Sequence, residues 1–153
     1  MFKTIVVGTD FSDTAGQAVS EATDLAKACG AKLHIVTAFK PAMTASVAAS
    51  SLEAMAYGGS EVLQEVESKI ADEVESNLKR MAKDLQNDGL TVKTHTCAGD
   101  PADALIDVAE STKADLIVIG NRGMGGVKRF VLGSVPNKVS HHAPCSVLIV
   151  HTT

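Results

Sequence analysis

Residues 115–134, DLIVIGNRGMGGVKRFVLGS, join an apolar run to a glycine-rich loop near the end of the chain. The run DLIVIG (115–120) has the length of a strand and no alternation of polar and apolar residues. Continuous runs of this kind are typical of strands covered on both faces, as in parallel sheets. The loop carries five glycines and the adjacent cations Lys128 and Arg129. The stretch therefore predicts an α/β fold and raises the question of whether the loop holds a phosphate.

Three other segments are similar apolar runs of strand length, and a fifth is more polar. The similar runs are TIVVG (4–8), KLHIVTAF (32–39) and CSVLIVH (145–151). The fifth segment, TVKTHTC (91–97), is interrupted by Lys93 and His95, as is typical of a strand at the edge of a sheet. Together with residues 115–120, these segments predict five strands.

Helical patterns separate the strands, and most carry start or stop signals. They span residues 12–29, 60–88, 99–112 and 135–142, with apolar residues at helical spacing. Ser12 is the predicted N-cap of the first helix, and Asp100 that of the third, where Pro101 takes the first helical position. Gly30 and Gly89 follow the first two helices, as expected of glycines that end helices.

The alternation of strands and helices predicts a parallel sheet with right-handed crossovers and helices on both faces. With the polar strand 91–97 at one edge, the natural strand order is 3-2-1-4-5, in one doubly wound, Rossmann-like domain over residues 1–153. A long insert rich in Ala and Ser, residues 41–59, is typical of a functional or disordered loop. Open sheets bind ligands beyond the carboxyl ends of their strands, where the strand order reverses. The site is therefore predicted between VGTDFSD (7–13) and residues 120–134.

Composition excludes several classes of protein. The 153 residues carry 14 basic and 18 acidic side chains, a net charge of −4, with no Trp and one Tyr. Nucleic-acid binding needs a basic face or aromatic stacking platforms, so it is disfavoured. No apolar run approaches the roughly 18 residues of a membrane span, and no signal peptide is recognisable. The cysteines, Cys29, Cys97 and Cys145, are widely spaced and predict reduced thiols in a cytoplasmic protein.

The glycine loop has the chemistry of a phosphate cradle. Glycines let backbone N–H groups converge on a small volume, and Gly133 and Ser134 precede a helix whose free N–H groups and positive dipole end attract anions. Ser134 can act as the helix cap or as a phosphate ligand, and Lys128 and Arg129 add Coulomb attraction. The alternative is a flexible connector between a strand and a helix. A Walker A motif and a dinucleotide fingerprint are both absent, which disfavours P-loop hydrolysis and NAD-type binding.

The glycine motif and three longer blocks of the sequence resemble a known family. Gly120-x-x-Gly123, nine residues, then Gly133-Ser134 is similar to the G-2x-G-9x-G-[ST] nucleotide motif of the universal stress proteins. The opening TIVVGTDFSDTAGQAV, the middle GDPADALIDVAESTKADLIVIGNRG and the close LGSVPNKVSHHAPCSVLIV also resemble that family, so the resemblance covers essentially the whole chain. It implies a fold like that of the adenine nucleotide alpha hydrolases, a dimer, and ATP binding. Gly125 and Gly126, within the nine-residue spacer, depart from the commonest pattern.

The resemblance also implies roles for particular residues. Thr9 and Asp10 would lie near adenine and ribose, and Ile119 and Gly120 would contact the base and ribose. The end of the second strand would line the adenine, and the glycine motif would hold the phosphates. The implied nucleotide-binding set is Thr9, Asp10, Val36, Thr37, Ala38, Ile119, Gly120, Arg122, Gly123, Gly133, Ser134 and Val135.

Several functions remain open from the sequence. An ATP-binding protein of stress response or signalling, with little or no hydrolysis, is favoured because no residue stands out as a base or water-positioning group. Asp10 and Ser134 are candidate Mg²⁺ ligands. The close of the chain is especially similar to small actinobacterial members of the family, some of which prefer cyclic AMP. The alternatives are thus a cyclic AMP-binding protein, a slow ATP hydrolase and a nucleotide-free structural dimer.

Two further expectations concern an edge strand and the histidines. The last strand, residues 145–151, is apolar and lies at an edge, so it predicts pairing with a second copy in a homodimer or a higher oligomer. His141 and His142 are adjacent on a helix and cannot chelate one metal ion from the same face. His34 and His95 are expected on neighbouring strands, as core or edge residues rather than as a metal pair.

Overall fold

A computed structural model describes residues 1–39, 59–122 and 132–151. The elements in chain order are β1 (Thr4–Gly8), α1 (Asp13–Cys29), β2 (Lys32–Phe39), α2 (Gly59–Asn87), β3 (Val92–Ala98), α3 (Pro101–Thr112), β4 (Leu116–Gly120), α4 (Ser134–His142) and β5 (Ser146–Val150). The predicted insert, residues 41–59, lies outside the described residues except for Gly59, which begins α2.

The five strands form an all-parallel sheet in the order β3-β2-β1-β4-β5, which confirms the predicted fold and strand order. β3 and β5 are the edges, as predicted. The order reverses at the centre, because β1 pairs with β2 on one side and with β4 on the other. The carboxyl ends of β1, β2 and β4 therefore surround the point where an open α/β sheet binds its ligand.

Two apolar cores cover the two faces of the sheet. On one face, α1 and α2 pack on Ile5, Leu33 and Ile35, which are fully buried. On the other face, α3 and α4 pack on Val6 and Ile117 and on their strand neighbours. Successive residues of a strand point to opposite faces, so a run of apolar residues fills both cores at once. The predicted helices on both faces are confirmed.

The helix ends mostly agree with the sequence signals. The Ser12 side chain accepts a hydrogen bond from the N–H of Ala15, and Gly30 ends α1 in the left-handed region at φ 64°. Asp100 caps α3 through the N–H groups of Ala102 and Asp103. Ion pairs between residues one helical turn apart, Glu65–Lys69 and Glu75–Lys79, are present along α2.

One helix start differs from the prediction. The helix predicted over 135–142, with Ser134 available as its cap, begins at Ser134, and Gly133 occupies the N-cap position. Gly133 has no side chain, so no side-chain hydrogen bond caps α4. The physical reason is that Gly133 is anchored by its backbone N–H, which donates to the Asn121 carbonyl at 3.1 Å. Elsewhere, the bounds of β1 and β2 agree with the predictions, and the other bounds differ by at most two residues. None of the described helices has the length and apolar character needed to cross a membrane.

Candidate functional site

The turn between β1 and α1 is organised by Asp10. Its Oδ1 accepts hydrogen bonds from the N–H of Ser12, at 3.0 Å, and from the Ser12 hydroxyl. The Thr9 hydroxyl accepts from the N–H of Phe11, which lies in the left-handed region at φ 61°. Asp10 thus holds the residue that caps α1, the turn-forming role that Asp commonly has. Asp10 also lies two residues after the end of β1, at the switch point of the sheet, where ligands bind in this class of fold.

The end of β2 presents backbone groups toward the switch point. The N–H of Thr9 donates to the Val36 carbonyl at 2.9 Å, which is the last link between β1 and β2. The N–H and C=O of one strand residue point to the same side, and the side alternates along the strand. Ala38 therefore points its backbone groups to the same side as Val36, beyond the end of β1. The structure pairs neither Ala38 group with another of the described residues.

The end of β4 packs closely on α1. A Cβ at Gly120 would lie 2.8 Å from Thr14 Cγ2, closer than real Cβ atoms approach, and 3.2 Å from the Thr14 carbonyl oxygen, closer than most Cβ contacts. Gly120 is therefore required for the approach of β4 to the first turn of α1. This contact brings the β1–α1 turn, with Asp10, and the start of the glycine loop together.

Asn121 joins β4, β5 and α4. Its N–H donates to the Val150 carbonyl at 2.9 Å, and its carbonyl accepts from Gly133 at 3.1 Å. Its side-chain nitrogen lies 3.5 Å from His151 Nδ1, and the residue is buried. Asn121 consequently fixes the start of α4 at the carboxyl end of β4.

The start of α4 offers free backbone donors. The first helical hydrogen bond runs from the N–H of Asn137 to Gly133, and Pro136 has no N–H to satisfy. Ser134 and Val135 therefore keep N–H groups without an acceptor in the part of the chain that the structure describes. Two N–H groups at the positive end of a helix dipole are a common anion site.

Two neighbouring groups bear on the charge of this region. The Nε of Arg122 is buried and has no hydrogen-bond partner among the described residues. Lys138, one turn into α4, pairs instead with Asp103 at 2.7 Å and with Asp100 at 3.4 Å, so it links α4 to α3. A buried donor without a partner is costly, so the Nε of Arg122 is a candidate donor to an anionic ligand.

The residues predicted from the sequence lie at the ends of three strands and at the start of α4. Thr9 and Asp10 follow β1, Val36, Thr37 and Ala38 belong to the end of β2, Ile119 and Gly120 end β4, Arg122 follows it, and Gly133, Ser134 and Val135 surround the start of α4. Gly123, Lys128 and Arg129 lie outside the described residues. Sequence reasoning missed Asn121, although a polar residue directly after a buried strand is a usable signal.

A cavity of about 310 Å³ lies elsewhere, between the end of β3 and α3. Asp100, Asp103 and Asp107 line it together with Cys97 and Ser111. Three carboxylates would repel a polyphosphate, so this cavity does not suit the ligand predicted at the switch point. Among the described residues, no three of His, Cys, Asp and Glu are grouped closely enough to hold a metal ion by themselves.

Comparison with known proteins identifies the family. The sequence model of the universal stress protein family matches residues 1–151. The chain belongs to the universal stress protein family. Universal stress protein Rv1636 of Mycobacterium tuberculosis is 39% identical over 154 residues, which cover 99% of this chain and 98% of that protein.

Solved structures agree with the fold. Hypothetical protein MJ0577 superposes with a TM-score of 0.83 at 25% identity, with 100% of this chain and 98% of that chain covered. A universal stress protein in complex with cAMP superposes with a TM-score of 0.65 at 33% identity, over 99% of this chain and 98% of the other. The family that the three sequence blocks suggested is thus confirmed.

Proposed function

We propose that this universal stress protein binds an adenine nucleotide, ATP first among them, at the carboxyl edge of β1, β2 and β4. The proposal rests on two groups of backbone atoms, one on each side of the switch point, that have no hydrogen-bond partner among the described residues. The backbone N–H and C=O of Ala38 face it from β2, and the N–H groups of Ser134 and Val135 face outward from the start of α4. One set suits a base and the other suits a phosphate.

The base is assigned to the end of β2. Adenine carries an amino donor beside a ring nitrogen acceptor, and one extended residue offers the matching carbonyl and N–H groups. None of the described residues pairs with these groups of Ala38, whereas the Val36 carbonyl already accepts the N–H of Thr9. Val36 and Thr37 are buried and form the floor beneath the base, and Ile119 and Gly120 contact the base and ribose from β4.

The phosphates are assigned to the loop and the start of α4. The N–H groups of Ser134 and Val135, the Ser134 hydroxyl and the buried Arg122 Nε supply donors, and we include the backbone of Gly123 and Gly133 in the cradle. Hydrogen bonds to a charged group contribute about 1.5–3 kcal/mol each, so a few of these contacts suffice for specific binding. Thr9 and Asp10 border the ribose.

Mg²⁺ fits this site as a companion of the nucleotide. Mg²⁺ is usually held by one or two carboxylates together with substrate phosphates, so it needs no all-protein cage. Asp10 and the Ser134 hydroxyl are the donors that we assign to it. Bound there, the ion would neutralise phosphate charge.

We assign the protein to stress response or signalling in the cytoplasm, as a single-domain nucleotide binder with slow hydrolysis at most. Phosphoryl transfer requires a residue that positions the nucleophile, and no such residue stands out in the sequence. Turnover near the ~1–100 s⁻¹ typical of kinases, abolished by Asp10→Ala, would overturn this assignment.

Cyclic AMP is the second candidate ligand. It is favoured by one observation, the 33% identical universal stress protein that was solved in complex with cAMP. Cyclic AMP has a single phosphate charge, so it needs fewer donors than a triphosphate does.

The deciding experiment is calorimetric titration of the nucleotide-stripped protein with Mg·ATP, cyclic AMP and, as a base control, GTP. We expect ATP to bind and Arg122→Gln to weaken binding about 10-fold or more, the loss expected when a charge-assisted hydrogen bond is removed. Lys83→Gln removes an equal charge from an exposed position on α2 and serves as the matched control. Tighter binding of cyclic AMP than of ATP would select the second candidate. No binding of either adenine nucleotide, confirmed by a second method, would overturn the proposal and leave a structural dimer.

A further inference from the structure

Two histidines on neighbouring strands form a direct hydrogen bond beside the candidate site. His34 Nδ1, on β2, lies 2.8 Å from His95 Nε2, on β3. The ring centroids are 5.1 Å apart and the ring planes differ by 18°. This centroid separation is close to the N···N distance plus the two ring radii, so the rings lie end to end and nearly in one plane. That is the geometry of a linear N–H···N bond rather than of a face-to-face stack.

The two imidazoles can take up one added proton, but not two, without losing this hydrogen bond. A neutral imidazole has one N–H donor and one acceptor nitrogen, so one proton lies between the two neutral rings. A first added proton can be accommodated at an outer nitrogen, and the N–H···N bond survives. A second added proton places N–H groups on both facing nitrogens, and the bond must break. The pair is therefore closed when neutral and open when doubly protonated.

The surroundings oppose protonation. His34 is only 5% exposed, and burial, together with the positive charges of His95, Lys93 and Lys32, lowers its pKa to about 4. Burial also lowers the pKa of His95, again with help from Lys93. The groups that face the pair along the strands are thus either apolar or positively charged.

The helix over this face provides no close counter-charge for an imidazolium. The described carboxylates of α3 are Asp103, Asp107 and Glu110, all exposed. Asp103 pairs with Lys138, and the charge of Asp107 acts on Cys97, where burial and then this carboxylate raise the pKa of the thiol. On the β1 side of His34, the residue on the same face is the buried, apolar Val6.

Strand pairing and one backbone hydrogen bond connect the histidine pair to the proposed base pocket. His95 is the register partner of Val36, and the Val36 carbonyl accepts the N–H of Thr9 at 2.9 Å. Ala38, two residues farther along β2, carries the backbone groups assigned to adenine. A displacement of β2 against β3 at the histidines would therefore move the pocket wall.

We propose that His34 and His95 form a proton-operated latch between β2 and β3, which acidification opens, and that opening weakens nucleotide binding at the end of β2. The second half of this inference rests on the proposed function, whereas the first half does not. The latch needs no metal ion and no partner.

The first test is an NMR titration of both imidazoles in the ligand-free wild-type protein. The two rings should take up protons in coupled steps, well below the ordinary value near 6.5, and should lose their mutual hydrogen bond at the second step. Titration of either ring near 6.5, or an intact bond after both steps, would overturn the latch.

The second test is the melting temperature as a function of pH. The folded pKa values are lowered, so the stabilisation is complete above about pH 6.5 and is lost as the pH falls toward about 4. His95→Gln keeps a neutral hydrogen-bonding group that cannot take up a proton, and His142→Gln removes an exposed imidazole as the matched control. Between pH 7 and pH 4.5, wild type and His142→Gln should lose at least about 4 °C more than His95→Gln. Equal losses in all three proteins would contradict the latch.

The third test measures the coupling. Between pH 7 and pH 4, ATP affinity should fall at least about 2-fold more in wild type than in His95→Gln, and bound ATP should move the histidine titration to lower pH by reciprocity. Equal changes in both proteins would refute the coupling while leaving the latch to the first two tests. Absence of ATP and cyclic AMP binding at pH 7 in every variant would refute the proposed function instead, because the titration and melting experiments use no nucleotide.

Discussion

At Gly120, the lack of a side chain lets β4 end against the first turn of α1. A Cβ there would meet Thr14 Cγ2 at 2.8 Å and the Thr14 carbonyl oxygen at 3.2 Å, and backbone cannot yield as a flexible side chain can. We expect Gly120→Ala to lower the free energy of unfolding by about 1–3 kcal/mol, the usual cost of overpacking. It should also weaken nucleotide binding, because the displaced turn carries Asp10. Urea denaturation and calorimetry measure the two effects.

Gly16 provides the matched control for Gly120. It lies in α1, where a Cβ would meet nothing within 4 Å. Gly16→Ala should raise the free energy of unfolding by roughly 0.5–1 kcal/mol, because alanine is favoured over glycine inside a helix. If both substitutions changed stability in the same direction, the steric account of Gly120 would fail.

Ser12 has two roles at the residue scale. It caps α1 through Ala15 and anchors the Asp10 carboxylate. Ser12→Ala should reduce the free energy of unfolding by ~1 kcal/mol, the typical value of an N-cap, and should also reduce nucleotide affinity. Ser20→Ala, at an exposed position within α1, removes a hydroxyl without a cap and should change neither quantity much. If Ser12→Ala lost no more affinity than Ser20→Ala, the assignment of Asp10 to the nucleotide site would be wrong.

At the scale of elements, the start of α4 is a test of the phosphate cradle. Gly133 has φ −59° and ψ 164°, an extended conformation that is compatible with a following proline. Proline is favoured at the first helical position, so Ser134→Pro should fold normally while it lacks both the N–H and the hydroxyl. We expect its affinity for ATP to fall about 10-fold or more, with little change in melting temperature.

Ser134→Ala separates the two donors of this residue. It retains the N–H and lacks only the hydroxyl, so its loss of affinity should lie between those of wild type and Ser134→Pro. Equal losses in the two variants would assign the whole effect to the hydroxyl, and unchanged affinity in both would place the phosphates away from α4. Calorimetry with ATP and cyclic AMP would also show which ligand depends on these donors.

At the scale of the whole molecule, the sheet and its strand order could be predicted from short sequence patterns. The apolar runs around Val6, Ile35 and Ile117 predict strands buried on both faces, and Gly30 and Asp100 carry helix-end signals that need no tertiary context. The carboxyl-edge position of the site then follows from the topology alone.

The remaining features depend on contacts between distant parts of the chain. The hydrogen bond between His34 and His95 requires the register of β2 on β3, which no local pattern specifies. The prediction of Ser134 as the cap of α4 was wrong because Gly133 is held by Asn121. That contact exists only once β4 and α4 have met. Local chemistry thus predicted the elements, whereas the links between their ends required the assembled fold.

The last prediction concerns assembly. β5 is an edge strand whose outer side pairs with no other described strand, and Leu148 on it is 36% exposed. An exposed apolar edge invites aggregation unless another chain covers it, and a second copy related by a two-fold axis is the simplest cover. We therefore propose a homodimer through β5.

Leu148→Lys should convert the dimer to a folded monomer, because an ammonium group would be buried without a partner at the interface yet stays solvated on a single chain. Ala98→Lys places the same charge at an exposed position on β3, the opposite edge, and should leave the dimer intact. Sedimentation velocity at micromolar concentration measures both, and circular dichroism confirms the fold. A monomeric wild type would refute the interface outright, and dissociation by Ala98→Lys rather than by Leu148→Lys would move it to β3, next to the histidine pair.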